Sequence, residues 1–466
     1  MKSKNVNMLS GSIFKGLLSM TIPIMIMNVM QSMFNIIDMT VMKMAGKTTA
    51  VGAIGACGSL TTLCTCLLIG VSTGANVVVA RRIGAKDKAA ADRAVTTGIL
   101  TAIIGGFALM VIGVIFAETF LKWTNVDAVL LPQSTAYFRI YFCGMPSIML
   151  YNFCASILRA TGDTKKPMYF LILSGAIKCV LTIWFVWSFD SGVGGIATAT
   201  IIANVIVTVL AFLALTKSKV INVNFKEFKI DVEELKDMLF IGIPAGLQSA
   251  LYSFANVIIM TVVNSFGPDA TTGISIANQY DGILYQISVA PSLAVTPYVA
   301  QNIGAGNLKR VKQTLVRAMC ITVAFGATFG ALSAIFSGQL SMIMSSSPAV
   351  IAYSQQKMML ISSTYFICGI NEIMCGTLRG MGKPIIPTIS TLIFMCAIRF
   401  VWVYVIYPLL PPNLTYLYLI WPIGWILSSS TLFISYLTGM SKLQKKVGTQ
   451  NRNSVKAGYP GTEHSR

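Results

Sequence analysis

A chain of 466 residues with 55% hydrophobic and only 11% charged side chains is not an ordinary soluble domain, since those carry about 25% charged residues. A net charge of +19 would suit nucleic acid if it formed one patch, but 28 of the 35 Lys and Arg are spread over the N-terminus, every second polar segment and the C-terminal tail. The one histidine, His464, stands in that tail, which removes His-dependent hydrolases, haem sites and His-ligated metals from consideration.

Twelve apolar stretches are near the ~20 residues that cross hydrocarbon: 15–42, 50–80, 94–118, 133–158, 167–188, 193–216, 236–264, 272–301, 315–341, 352–378, 385–408 and 414–439. The first is long and has no small-residue cleavage site after it, so it is not a cleaved signal. The polar segments on the sparsely charged side hold only Lys43, Lys47 and Lys122. The positive-inside bias then predicts a multi-pass protein of the plasma membrane with both termini in the cytoplasm. The expectation is an all-α membrane fold.

Stretch one carries Asn28, Gln31, Asn35 and Asp38 at spacings that put all four on one helical face. Such a stripe belongs against a water-filled cavity or against polar groups of neighbouring helices. Arg139 lies in the fourth stretch and Lys178 in the fifth. Between the sixth and seventh, Phe225, Phe228, Val232 and Leu235 recur at helical spacing beside lysines; this reads either as a short helix on the inner leaflet or as a solvated linker. The seventh stretch carries Gln248, Tyr252 and Asn256 one turn apart. Asn278, Asp281 and Tyr285 share a face of the eighth, Asn371 and Glu372 lie in the tenth and Arg399 in the eleventh. Lys357 is close enough to a span end to snorkel.

The two halves repeat one another. Ile22-Pro23 returns as Ile243-Pro244, Ile83-Gly84-Ala85 as Ile303-Gly304-Ala305, and Leu158 to Gly162 as Leu378 to Gly382, at offsets of 220 or 221. Six spans per half give both halves one orientation, as in parallel transporter repeats. The predicted organisation is an N-terminal lobe (1–216), a cytoplasmic linker (217–237), a C-terminal lobe (238–440) and a disordered cytoplasmic tail (441–466). Scaffold repeats, but charge does not: Asp281 and Glu372 correspond to Thr61 and Asn152 at an offset of 220, and Asp38 to Ile259 at 221.

Charge inside a span is costly and points to function. Desolvation penalises the charged form of a carboxyl group, so a carboxyl in a dry cavity can take a proton and release it when water enters. Proton and cationic substrate competing for one carboxylate would give exchange. Sodium is an alternative, given the Asn, Ser and Thr oxygens available. No nucleophile is paired with a base, so an enzyme is not expected. No cofactor beyond a coupling ion, H+ or Na+, and no protein partner is expected; the chain reads as a monomer.

These residues resemble the bacterial MATE (multidrug and toxic compound extrusion) transporters over nearly the whole length except the tail. The likeness rests on Ile22-Pro23 with Gln31 to Asp38, Gly70 to Arg81, Gly144 to Thr164, Gly242 to Asn256, and Cys375 to Gly382. It implies two six-helix lobes, a V-shaped cavity, and export of small organic cations against inward H+ or Na+. It further implies that Asp38 matches a first-helix aspartate of an N-lobe cation site. Lys178 and Thr182 stand where many members carry Asn and an acid or amide. A lysine there fills the N-lobe site with its own charge if it meets Asp38, which shifts weight to the C-terminal lobe, where Asp281 and Glu372 are expected to bind the coupling ion or the substrate, with Arg399 as counter-charge and Asn278, Tyr285 and Asn256 as further polar candidates. A flippase for a lipid-linked precursor, from the same superfamily, is the alternative.

Overall fold

The computed structural model describes residues 5–45, 48–124, 126–189, 191–223 and 229–456. The apolar stretches are helices, since a chain in hydrocarbon must satisfy its backbone polar groups within itself. In chain order they are α1 (Ile13–Met44), α2 (Thr48–Gly84), α3 (Lys88–Trp123), α4 (Leu131–Cys143), α5 (Met145–Ala160), α6 (Lys165–Ser188) and α7 (Gly192–Thr216). The second half follows as α8 (Val232–Asn264), α9 (Pro268–Gly304), α10 (Leu308–Ile335), α11 (Ser337–Met344), α12 (Pro348–Ser363) and α13 (Tyr365–Gly380). The eleventh span, Ile385–Leu409, is irregular. It runs through α14 (Ile385–Thr391), a π-helical stretch Leu392–Ala397, α15 (Ile398–Val401) and a second π-helical stretch Trp402–Ile406. The chain closes with α16 (Leu414–Tyr418) and α17 (Ile420–Lys456). Among the described residues ten helices are long and apolar enough to span a bilayer, or twelve if each of two bent pairs is one span.

The bent pairs replace two predicted straight spans. α4 and α5 meet at 47°, α12 and α13 at 49°. Pro146, in the first turn of α5, cannot donate to the preceding helix. The second break, at Thr364, has no proline; there Thr364 donates its hydroxyl to Leu360 O at 3.1 Å and to Ile361 O at 2.9 Å, a pattern that bends helices.

Starts and stops follow local chemistry. Asp87, Asp231 and Asn307 cap α3, α8 and α10 by accepting backbone N–H bonds. Gly162 and Gly382, 220 residues apart, follow α5 and α13 with φ of +85° and +77°, a conformation that glycine adopts without strain.

Two expectations change. Val232 and Leu235 belong to the first turn of α8, so they do not form a separate interfacial helix; Phe225 and Phe228 lie outside the described residues. α17 continues to Lys456, so residues up to there extend the last helix instead of forming the disordered tail that composition suggested. The run Leu443 to Lys446 consists of good helix formers. Residues 457–466 lie outside the described ones.

Two lobes emerge, and their first helices cross over. Ile13, Leu17, Met20 and Ile24 of α1 sit in a core with Tyr298, Val311 and Leu378 of the C-terminal lobe. Met238 and Ile241 of α8 sit in a core with Val78, Phe153 and Ile157 of the N-terminal lobe. Close approach makes this possible. A Cβ on Gly70 would run into the backbone of Gly246, and one on Gly74 into that of Met238, so α2 and α8 touch main chain to main chain.

Polar contacts between the lobes concentrate at the end that carries most of the basic residues. Arg82 pairs with Glu234 at 2.9 Å and Arg93 with Asp231 at 3.2 Å. Gln301 donates to Ala160 O at 2.7 Å. The segment before α1 is a strap: Val6 N donates to Gly162 O at 3.1 Å. Arg310 in turn donates to the carbonyls of Met8, Ser10 and Gly11.

Candidate functional site

α1 leaves this lock and carries its polar stripe onward. Asn28 still bridges the lobes, donating to Gln286 O at 3.3 Å. Asp38 lies ten residues further, about 15 Å at the helical rise of 1.5 Å per residue. There Lys178 of α6 places its Nζ 2.6 Å from Asp38 Oδ2, with both side chains largely buried. Gln31 is exposed and joins no such pair; the side chain of Asn35 lies outside those described. The meeting of Lys178 with Asp38, stated as a condition from the sequence, is met.

The second lobe holds a larger cluster, built on α8, α9, α12, α13, α15 and α17. Lys357 of α12 pairs with Asp281 of α9 at 2.7 Å and also donates to Asn278 Oδ1. Its side chain is 3% exposed. Of the two readings open for Lys357, a charge held within the span or one that snorkels to its end, the first holds: the side chain points inward and neutralises Asp281. Tyr365 donates to the Asp281 carbonyl at 2.9 Å and so ties α13 to α9. Arg399 also departs from expectation. Among the described residues it makes no ion pair with Asp281 or Glu372. It donates instead to Asn256 Oδ1 at 2.8 Å and lies 4.9 Å from the centre of the Trp421 ring. Lys357 lies 5.6 Å from the same ring. Both distances are in the cation–π range.

Glu372 is the third acid and it is different. It is 2% exposed, its Oε1 accepts from Tyr285 OH at 3.5 Å, and no ion-pair partner is present among the described residues. The Tyr285 ring lies 6.5 Å from that of Tyr252, whose hydroxyl accepts from Asn371 Nδ2 at 3.0 Å. The predicted α8 stripe thus faces the cluster, each member with its own partner. Gln248 accepts from Arg379 at 2.7 Å, Tyr252 meets Asn371, and Asn256 meets Arg399. Arg139, counted among the intramembrane charges from sequence, is exposed on α4 and joins neither cluster.

The repeat organises what pairing alone does not. Adding 221 to Lys178 gives Arg399, and adding it to Asn35 gives Asn256. Both lobes therefore carry a base at the same place, and only the first supplies an aspartate beside it. Sequence reasoning had every residue needed for this correspondence. Trp421 carried no signal, because a tryptophan in an apolar helix looks like packing until a cation is seen over its face. Among the described residues, no three or more His, Cys, Asp or Glu side chains group as a metal site.

Comparison with known proteins agrees with this architecture. The MatE family model matches the chain twice, over residues 23–184 and 244–405, in the register of the internal repeat. The probable multidrug resistance protein YoeA of Bacillus subtilis (strain 168) is 27% identical over 393 residues, covering 82% of this chain and 84% of that one. The multidrug export protein MepA of Staphylococcus aureus (strain NCTC 8325 / PS 47) is 23% identical over 378 residues, covering 80% and 82%. A solved structure, the outward-facing conformation of a multidrug resistance MATE family transporter of the MOP superfamily, shares the fold with a TM-score of 0.88 at 20% identity, covering 96% of this chain and 100% of that one. With both repeats matched and the two-lobed helical fold in place, the chain belongs to the MatE family of multidrug efflux transporters.

Proposed function

We propose that this chain is a proton-driven antiporter that exports small organic cations from the cytoplasm by alternating access, with Glu372 as the group that carries the coupling proton. The observation that carries the reading is the lack of an ion-pair partner at Glu372 among the described residues: its buried carboxyl group is met by the hydroxyls of Tyr285 and Tyr252, while Asp38 and Asp281 are each held by a lysine. An unpaired buried carboxylate is expensive, and either a proton or a cationic cargo relieves that cost. A group that takes one or the other, and never both, exchanges them. With the basic end in the cytoplasm, the lock between the lobes closes the inner side and the polar clusters lie beyond it. This supports an outward-facing arrangement. Exchange of one proton for one singly charged cation moves no net charge, so the drive is the pH gradient, about 1.4 kcal/mol per pH unit.

Flux of ethidium in proteoliposomes tests this, with a pH gradient and a sodium gradient imposed separately. The pH gradient is expected to drive it, and Glu372→Gln to slow coupled flux by at least about tenfold, equivalent to ~1.4 kcal/mol of barrier. Asp281→Asn, which strands Lys357, is expected to impair flux as well. Ethidium movement under sodium alone would overturn the choice of proton. Full coupled transport in the two variants would remove both acids from the mechanism. The lipid-precursor flippase is favoured by one observation, the two cations at Trp421, which suit a phosphate head group. Translocation of a labelled anionic lipid with no ethidium flux under either gradient would select it.

A further inference from the structure

Charge is shared unequally between the lobes at the basic end. The polar segments of the N-terminal lobe and the linker (81–93, 159–166 and 217–237) hold 13 Lys and Arg together with eight Asp and Glu. Those of the C-terminal lobe (302–317, 379–383 and 441–456) hold 11 Lys and Arg and no acid. Membrane orientation does not demand this, because the positive-inside bias counts Lys and Arg and acids weigh little in it.

Matching turns show the difference residue by residue. The positive-φ glycines Gly162 and Gly382 are followed by Asp163 and Lys383. Asp163 is buried and answered within its own lobe: the Lys166 ammonium lies 2.8 Å from its Oδ2, and the Lys166 N–H donates to its Oδ1 at 3.2 Å. Lys383 meets no acid. It lies against the main chain of α17, where a Cβ on Gly439 would run into its Nζ. One turn further along α17 stands the exposed Lys442. Partial burial and the Lys442 ammonium push Lys383 below the usual lysine range. Among the described residues neither lysine has an ion-pair partner. Two cations are thus held together at the end of a span with nothing to balance them.

The surface beside them is apolar. α14 begins two residues after Lys383 and is tied to α17 by the Ser390 and Ser428 hydroxyls at 2.8 Å. Between that contact and the lysines both helices turn apolar side chains outward, Ile385 and Ile389 on α14, Phe433 and Leu437 on α17. On a membrane-spanning bundle such a strip meets acyl chains. A paired cation at the head of an acyl-lined strip fits an anionic amphiphile better than free phosphate or nucleic acid, neither of which has a chain to lay there.

We propose that Lys383 and Lys442 form a docking surface for an anionic phospholipid of the adjoining leaflet, with its phosphate on the two ammonium groups and its acyl chains along α14 and α17. Clustered bases next to a span recognise such head groups. Lys442 lies 21 residues beyond Trp421 on α17, about 30 Å at the helical rise, so this lipid is a bound partner and not the cargo, and the inference stands apart from the transport reading. Native mass spectrometry of the purified full chain in detergent, titrated with dioleoyl phosphatidylglycerol or dioleoyl phosphatidylcholine, tests it. The wild-type protein is expected to bind its first phosphatidylglycerol at least about tenfold tighter than phosphatidylcholine, the scale of two lysines at an anionic surface. Lys383→Gln with Lys442→Gln is expected to remove most of that preference and leave phosphatidylcholine binding unchanged. Lys86→Gln with Lys165→Gln takes two exposed lysines from the same end of the other lobe and is expected to keep it. No preference in the wild type overturns the proposal. Equal losses in the two double variants also overturn it, since net charge would then replace these two lysines as the cause. A Lys383 and Lys442 double variant that keeps the preference, or that binds both lipids more weakly by the same factor, overturns it as well.

Discussion

Asp38 and Lys178 cost more to separate than to keep. Both are largely buried at 2.6 Å, and removing one partner of a buried pair typically costs about 3–5 kcal/mol, because the other charge is stranded. Lys178→Met is therefore expected to lower stability on that scale, and adding Asp38→Asn in the same chain to recover most of it. Thermal unfolding of the purified proteins in detergent measures both, and a single variant as stable as wild type would contradict the pairing. The same cycle on Asp281 and Lys357 should show coupling of similar size. At this scale the sequence was partly readable. An acid and a base stranded in apolar spans have few options, so Asp38 with Lys178 could be stated as a condition. For Lys357 snorkelling stayed open because distance to a span end is counted along a straight helix, whereas the span is bent by 49° after Ser363. Arg399 was assigned an acid as partner when a ring and an amide take that role.

The helices α1 and α8 each carry a proline where they pass from the opposite lobe into their own, Pro23 and Pro244. Proline removes one backbone hydrogen bond and costs a regular helix ~3 kcal/mol. Helices that must flex between two arrangements can use such a weak point. Pro23→Ala is expected to raise thermal stability by about 1 kcal/mol, a fraction of that proline cost, and to slow ethidium flux. Unchanged flux with raised stability would show that α1 moves as a rigid rod. Hydropathy found the spans because bilayer thickness sets their length. It missed the breaks at Gly144 and Thr364, and the π-helical stretches in the eleventh span, because these depend on which hydroxyl or ring reaches which carbonyl.

The whole molecule is held at one end by a few charged contacts and is otherwise joined by apolar and main-chain packing. Glu234 is the buried member of the pair with Arg82, whose side chain is 34% exposed, so the pair contributes about 1 kcal/mol or less. That is small for folding and large for a balance between two states of similar energy. Glu234→Arg is expected to slow export by favouring separation at the basic end, and Arg82→Glu with Glu234→Arg to restore it. A charge swap that stays as slow as the single variant would mean the contact does not bias that balance. The repeat and the two lobes were legible because offsets of 220 and 221 persist across whole halves. The exchange of α1 and α8 between lobes was not, since periodicity tells a helix which face to bury and not which neighbour to bury it against.

That exchange has a bearing on how the chain is made. Ile13 to Ile24 leave the ribosome long before their core partners, Tyr298, Val311 and Leu378, are synthesised. For most of translation the first helix waits in the membrane with one side uncovered, and the N-terminal half is complete in sequence before it is complete in structure. The two halves expressed as separate polypeptides would have to find each other to finish either core, while the first half produced alone would keep an open flank that suits a second copy as well as its own missing half.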